Sequence, residues 1–404
     1  MPCKPRTASP TGPAAFARAW QTPDSGFVWL DSATSDEDSI SVLAKNPRDI
    51  LKGHIHRDVE TLRLALRRGT HEGSAGGLLG WVGFDGRFTF GHYDTCAIWQ
   101  DRTASWKQPD RDAGRLAPAA APSISAAPLH FIPQMEKEVF CRLVRRAQEY
   151  IAAGDIYQVN LSYPWLARWP HGLDPLEFYL RLREASPAPY GAFLDLGGTQ
   201  VFSASPECFL EIQGRRIITR PIKGTRPRGI TPELDIKLAD ELERSAKERA
   251  ELVMITDLER NDLGQVCEFG SVHVSELLKL ERYAQVQHLA STVEGTLRED
   301  VDHLDAFAAC FPGGSISGAP KKRALEIIRE LEPHPRELYT GAIGWFGFNG
   351  ESRFSIAIRT AWREGDLVRF DTGAGIVADS DPVHEWEETR HKAQGLLRAA
   401  AGTG

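Results

Sequence analysis

Apolar side chains recur at Val139, Leu143, Ala147 and Ile151 of MEKEVFCRLVRRAQEYIAAGD, one face of a helix that Gly154 is placed to end. The segments ELDIKLADELERSAKERAELVMITDLE and SGAPKKRALEIIRELE predict one long helix and one shorter one. Elsewhere the alternation is twofold. AFLDLGGTQVFSAS turns about Gly197-Gly198, and ECFLEIQGRRIITR turns about Gly214. Asn349-Gly350 divides two alternating runs in WFGFNGESRFSIAIRTAW, the strongest short hairpin signal. Hairpins outnumber strand–helix–strand crossovers, which predicts an α+β fold on antiparallel sheets. One echo exists: residues 77–86 (GLLGWVGFDG) and 341–350 (GAIGWFGFNG) share the frame GxxGWxGFxG, as a duplicated hairpin would.

At 404 residues the chain exceeds the roughly 250–300 that one hydrophobic core organises, so a large or two-lobed architecture is expected. Residues 1 to about 25, rich in Pro, Ala and Thr, read as a loose arm that orders only on docking. Residues 101–128, poor in large apolar side chains, read as a mobile linker between an N-terminal region (1–100) and a longer part (129–404). A net charge of −7 argues against a nucleic-acid platform, which needs a basic face. The six cysteines stand singly, without a CxxC pair, as reduced thiols do. No apolar run approaches the roughly 20 residues of a membrane span, and Arg18 interrupts the only signal-peptide candidate. A cytoplasmic location is the expectation.

Candidate chemistry gathers after residue 200. Lys223, in PIKGTRPRG, follows a strand-like run and precedes a glycine; withdrawn from water, its amine becomes a candidate nucleophile, and otherwise it belongs to a basic loop. Glu248 and Glu251 share one helix face at i,i+3, and Glu385 and Glu388 repeat that spacing in PVHEWEETRHKA. Two such pairs could hold a hard divalent cation, or could be solvated helix faces. PGGSISGAPKK has the GxxxxG spacing at Gly313 and Gly318, but Ala319 stands where a phosphate loop requires lysine. Its amides and Ser315 hydroxyl remain able to hold a carboxylate, as does the glycine loop DTGAGIVADSDP. Arg359, on the alternating run FSIAIRTAW, needs a carboxylate partner if it points inward. His288 in VQHLASTVEG is undecided.

Eight ordered motifs between about Gln134 and Leu397 are similar to those of the chorismate-utilising enzymes, the family of anthranilate, aminodeoxychorismate, isochorismate and salicylate synthases: IYQVNLS, SASPE, PIKGTRPRG, ERAELVMITDLERNDLG, QHLASTVEG, FPGGSISGAPKKRA, IAIRT and GAGIVADSDPVHEWEET. WLDSA and GGLLGWVGFDG carry a fainter likeness. The resemblance implies a two-lobed sandwich of antiparallel sheets with helices outside. It implies chorismate as substrate, Glu207 of SASPE as general acid, and Mg²⁺ bound directly by Glu251 and Glu388, with Glu248 and Glu385 acting through water. It implies Arg359 and the amides of Gly373, Ala374 and Gly375 for the enolpyruvyl carboxylate, and Gly224, Thr225, His288, Ser315 and Trp345 as further pocket positions. Relatives often hold tryptophan near positions matching Ser32, Pro189 and Tyr190.

Two positions separate the reactions within the family. Gln158 stands where water-adding members carry a basic lysine, which disfavours isochorismate and salicylate synthesis. Lys223 stands where anthranilate synthases carry a small residue, and PIKGT is the aminodeoxychorismate synthase component I pattern. The implied partners are ammonia and a separate glutamine amidotransferase subunit, because no cysteine here lies in a glycine-flanked elbow. Anthranilate synthesis and a catalytically silent chorismate-binding subunit stay open as alternatives.

Overall fold

Each hairpin read from the alternation forms about its turn residues: Tyr190–Leu196 with Thr199–Ser205, Cys208–Gln213 with Arg216–Arg220, and Ala342–Gly347 with Ser352–Ile356. A computed structural model of the chain describes residues 12–22, 24–34, 39–69, 76–107, 128–283 and 286–402. Within them the strands form two antiparallel sheets, of 11 and 10 strands. The first sheet runs Gly318–Ala319, Gln158–Arg168, Leu367–Ile376, Thr360–Glu364, Thr199–Ser205, Tyr190–Leu196, Val28–Asp31, Ile40–Ala44, Ala97–Gln100, Ser105–Lys107. The second runs Ile222–Pro227, Val286–Thr296, Arg216–Arg220, Cys208–Gln213, Ser352–Ile356, Ala342–Gly347, Gly77–Val82, Arg87–Tyr93, Asp49–His54. Ile132–Pro133, paired with Gln158–Arg168, completes the first sheet, and His273–Arg282, paired with Val286–Thr296, completes the second.

Alternation gives each sheet two faces, and apolar cores form on both. Val42, Leu194 and Val201 of the first sheet meet Leu79, Trp81 and Ile343 of the second in a core between them. The outer face of the first sheet is covered by helices Lys137–Ala152, Pro175–Ala185, Lys321–Leu331 and Pro382–Ala401, through Phe140, Phe178, Ile327 and Leu396. Helices Val59–Gly69 and His303–Cys310 cover the other sheet through Leu62, Leu66 and Phe307. The expected sandwich with helices outside is the fold. No helix among the described residues is long and apolar enough to cross a membrane. The described cysteines, Cys96, Cys141, Cys208, Cys267 and Cys310, are buried and unpaired; Cys3 lies outside the described residues.

Four expectations change. The loose arm is a helix over Pro13–Trp20, whose Phe16 and Trp20 join the large outer core, each such burial contributing about 1.5–3 kcal/mol; residues 1–11 lie outside the described residues. Of the expected linker, Ser105–Lys107 is a strand, and 108–127 lie outside the described residues. The single long helix is two, Pro232–Arg244 and Ala246–Gly264, because Ser245 leaves the helical conformation to accept a hydrogen bond from Glu248 N and cap the second. The run FSIAIRTAW is interrupted, since Arg359 adopts φ +51° between two strands of different sheets.

The echo segments prove to be neighbours. Gly77–Val82 pairs antiparallel with Ala342–Gly347, with Gly80 opposite Gly344. A Cβ on Gly80 would fall 2.0 Å from Thr89 O, and one on Gly344 would fall 2.0 Å from Arg353 O, so the likeness extends to the following strands. Strands from both sides of 108–127 therefore lie side by side, here and where Val28–Asp31 pairs with Tyr190–Leu196.

Candidate active site

Two adjacent passes between the sheets carry the first pair of groups. The chain leaves the first sheet at Ser205 and enters the second at Cys208, which puts Glu207 in the pass. It returns between Ile356 and Thr360, which puts Arg359 in the neighbouring pass. Ala204 N donates to Arg359 O at 3.1 Å and Ile356 N to Glu207 O at 3.1 Å, lacing the passes together. The left-handed backbone at Arg359 costs about 1–3 kcal/mol and takes its side chain out of the strand alternation. Among the described residues it makes no ion pair; burial lowers its pKa, and the charge of Glu207 opposes that. Glu207 is 5% exposed. Burial raises its pKa, against hydrogen bonds from the Ser315 hydroxyl and Ile222 backbone and the charges of Lys223 and Lys392. A carboxyl so placed is suited to deliver a proton.

A bulge aims Lys223 into the same space. Lys223 faces Leu289 and Thr225 faces His288, leaving Gly224 as the extra residue. Gly224 has φ +65°, and a Cβ there would fall 2.6 Å from Leu242 Cδ1 and 3.1 Å from Glu248 Oε2, so both conformation and space demand glycine. The Lys223 Nζ lies 3.6 Å, and Gln158 Nε2 2.6 Å, from where a Cβ on Gly375 would stand. That glycine keeps the space beside the amine open. Thr225 Oγ1 lies 2.8 Å from His288 Nδ1. Burial, then the charge of Arg359, pushes His288 down to about 3, so its ring is neutral at ordinary pH. From Asp371 to Ile376 the glycine strand pairs with Gln158–Arg168 on one side, while Thr360–Glu364 reaches only as far as Phe370 on the other. The backbone of Gly373, Ala374 and Gly375 thus has one flank outside the ladder, and the Gly373 carbonyl accepts from Lys392 Nζ at 2.9 Å.

The glutamates occupy the first two turns of two capped helices, and the dipole favours the negative charge of the first-turn Glu248 and Glu385. Ser245 caps the helix of Glu248 and Glu251, and Asp381 that of Glu385 and Glu388. Glu251, 9% exposed, is raised by burial, with the charges of Lys223 and Lys247 opposing and those of Glu248 and Glu388 adding to the rise. Glu388 is held down to about 2, chiefly by Lys392 at 2.7 Å. Lys247 Nζ stands 3.1 Å from Glu385 Oε1 and 3.9 Å from Glu251 Oε1, and Arg226 Nη1 lies 3.6 Å from Glu248 Oε1. Among the described residues no three acidic, histidine or cysteine groups are arranged to hold a metal. Ammonium groups stand between the carboxylates instead. The donor set is all carboxylate, the kind of ligand a hard divalent cation takes, and such a cation would have to displace those lysines.

The predicted residues divide between two places. Glu207, Lys223, Gly224, Thr225, His288, Ser315, Arg359, the 373–375 glycine strand and the glutamates are linked by the contacts and charges above. Trp345 is elsewhere. It lines a cavity between the sheets with Leu30, Asp31, Pro189, Tyr190 and Arg353, because alternation turns Ile343 and Trp345 towards the inter-sheet core. Pro189 and Tyr190 were expected at a separate pocket and do line this one, whereas Ser32 is not on its wall and turns its hydroxyl to Thr34 and Ser39.

The sequence model of the chorismate binding enzymes matches residues 49–398. The chain belongs to that family. Among the curated chorismate binding enzymes it resembles, aminodeoxychorismate synthase component 1 of Bacillus subtilis is 46% identical over 271 residues, covering 67% of this chain and 57% of that one. Anthranilate synthase component 1 of Thermus thermophilus is 48% identical over 269 residues, covering 67% and 58%. The match thus spans under two thirds of these relatives' length. The solved anthranilate synthase component I from Streptococcus pneumoniae superposes with a TM-score of 0.78 at 29% identity, over 90% of this chain and 93% of that one. The menaquinone-specific isochorismate synthase from Escherichia coli gives the same TM-score at 18% identity, over 99% of this chain and 96% of that one, a likeness of fold.

Sequence reasoning missed several members of this site. Lys392 was legible from its i,i+4 spacing to Glu388. Lys247 adjoins Glu248 in sequence, yet only the approach of the two helices brings it to Glu385. Tyr339, whose Oη lies 3.0 Å from where a Cβ on Gly373 would stand, had no signal beyond its being aromatic.

Proposed function

We propose that this chorismate binding enzyme is the component I of an aminodeoxychorismate synthase, converting chorismate and ammonia to 4-amino-4-deoxychorismate and water. The observation that carries the reading is the Lys223 amine at the space left by Gly375, within electrostatic reach of the buried Glu207 carboxyl. Anthranilate synthases match the chain as closely overall, so the choice rests on that side chain.

Lys223 Nζ bonds to ring carbon 2, the two ring double bonds shift, and the carbon 4–oxygen bond breaks; the hydroxyl takes the Glu207 proton and leaves as water. Ammonia then bonds to carbon 4, the double bonds shift back, and the bond to Nζ breaks, returning Lys223 as a neutral amine. The new ammonium restores the proton to Glu207. Two displacements replace one difficult substitution. Ser315 and the Ile222 amide stabilise Glu207 while it is a carboxylate. Arg359, without an ion-pair partner among the described residues, receives the enolpyruvyl carboxylate with the glycine strand. Glu251 and Glu388, backed by Glu248 and Glu385, would hold Mg²⁺, which when bound would supply charge neutralisation at the ring carboxylate. Ammonia comes from a glutamine amidotransferase partner.

The test is covalent trapping. With chorismate and Mg²⁺ but no ammonium, the ring mass should map to the peptide containing Lys223, and Lys223→Ala should lose both adduct and most turnover. A Lys223→Ala enzyme with wild-type rate and product, or anthranilate as the wild-type product, overturns the reading.

A further inference from the structure

The loop that carries Ser315 is gripped from two sides by buried polar side chains, Glu259 and Arg336. Gly314 lies so close to helix Ala246–Gly264 that a Cβ would fall 2.6 Å from Leu258 Cδ2 and 3.1 Å from Glu259 Oε1. That oxygen accepts from Gly314 N at 3.1 Å and from Ser315 N at 3.3 Å. On the other side Arg336 Nη1 donates to Ile316 O at 3.0 Å, while Arg336 is anchored on Glu332 at 2.7 and 2.9 Å. Ser315 lies between the two grips, and its side chain opposes the rise that burial gives the Glu207 pKa. Glu259 is 3% exposed. A carboxyl buried this deeply is costly unless its oxygens are used, and here one is spent on the two amides that fix the Ser315 backbone.

We propose that Glu259 is a positioning residue for proton delivery: it holds the Gly314–Ser315 backbone so that the Ser315 hydroxyl is presented to Glu207. The inference rests on the reading of Glu207 as general acid, and it assigns to Glu259 no contact with substrate. Its action runs through Ser315, which makes two consequences measurable. Losing Glu259 should matter little once the Ser315 hydroxyl is gone. A neutral side chain that still accepts the two N–H bonds should rescue function.

The experiment compares Glu259→Gln, Glu259→Leu, Glu259→Asp, Ser315→Ala and the Glu259→Leu/Ser315→Ala double variant in the full chain. Turnover is measured with chorismate, Mg²⁺ and ammonium, and amide exchange is followed in the peptide spanning 311–318. Loss of this support should lower kcat about 10–100-fold in Glu259→Leu, a part of the roughly 10²–10⁴-fold that a general acid supplies. Glu259→Gln should recover to within about threefold. The double variant should be no more than about threefold slower than Ser315→Ala. Exchange at 314–315 should quicken in Glu259→Leu and not in Glu259→Gln. Glu259→Asp keeps the charge but falls short of the amides, so it should behave like Glu259→Leu and serves in its place if that variant does not fold. Multiplying effects in the double variant, a Glu259→Gln enzyme as slow as Glu259→Asp, or unchanged exchange overturns the inference alone. A wild-type enzyme that leaves chorismate unchanged overturns the functional reading, and this inference with it.

Discussion

Lys247→Met should make the enzyme easier to activate with Mg²⁺. In the structure the Lys247 ammonium spans the two helices, 3.1 Å from Glu385 and 3.9 Å from Glu251. A cation entering between these carboxylates must displace it. The lysine side chain is 45% exposed, so water and salt weaken its hold, although its partners are only 2% and 11% exposed. Exposed pairs contribute about 0.2–1 kcal/mol each, so two contacts with buried partners come to about 1–2 kcal/mol. At tenfold per roughly 1.4 kcal/mol, removing them should lower the half-activating Mg²⁺ concentration about 5–30-fold. The assay is a Mg²⁺ titration of chorismate turnover at saturating ammonium, starting from chelator-treated enzyme, with circular dichroism to confirm the fold. A half-activating concentration within twofold of wild type, or higher, would refute the reasoning and place the metal away from these glutamates.

Three further outcomes are expected. Arg336→Met leaves Glu332 buried without its cation and frees the Ile316 and Asn160 carbonyls, so it should destabilise the fold by about 3–5 kcal/mol in urea unfolding; a loss below about 1 kcal/mol would contradict that expectation. Lys392 holds the Glu388 pKa at about 2 instead of the ordinary 4.5. A depressed carboxylate contributes stability above its unfolded pKa and loses it as pH falls through the folded one, so the stability gap between wild type and Lys392→Met should shrink from pH 6 towards pH 3. A gap that stays constant over that range counts against it. Gln158 is fully buried with both amide atoms lacking a hydrogen-bond partner, and an amide accepts no proton at neutral pH. Without ammonium, chromatography should show no isochorismate, and isochorismate as the main product would defeat the subfamily assignment.

The parts of the fold that were legible are those with local causes. Asn349-Gly350 and Gly197-Gly198 set their hairpins through turn conformation alone, and the i,i+3 glutamates needed only helical geometry. What was hidden depends on approach between distant segments. Ser245 could be read as a mid-helix serine until its hydroxyl was seen capping Glu248 N. Arg359 sits in an alternating run, and nothing in that alternation marks a pass between sheets. Trp345 was assigned with the site by motif position, yet its strand parity turns it to the inter-sheet cavity. The arm at Pro13–Trp20 looked loose by composition, but Phe16 and Trp20 find a surface formed partly by Trp106 and Phe27.

The pairing of the two echo strands sets a timetable for biogenesis. Gly77–Val82 is buried along its whole length, and one of its two neighbours is Ala342–Gly347, encoded near the far end of the chain. A ribosome adds about 5–20 residues per second, so this apolar strand waits tens of seconds with an open edge, a ready template for pairing with the wrong chain. The nascent enzyme should therefore lean on chaperones more heavily than its finished stability suggests, and translation arrested before residue 342 should yield aggregates rather than a folded N-terminal half.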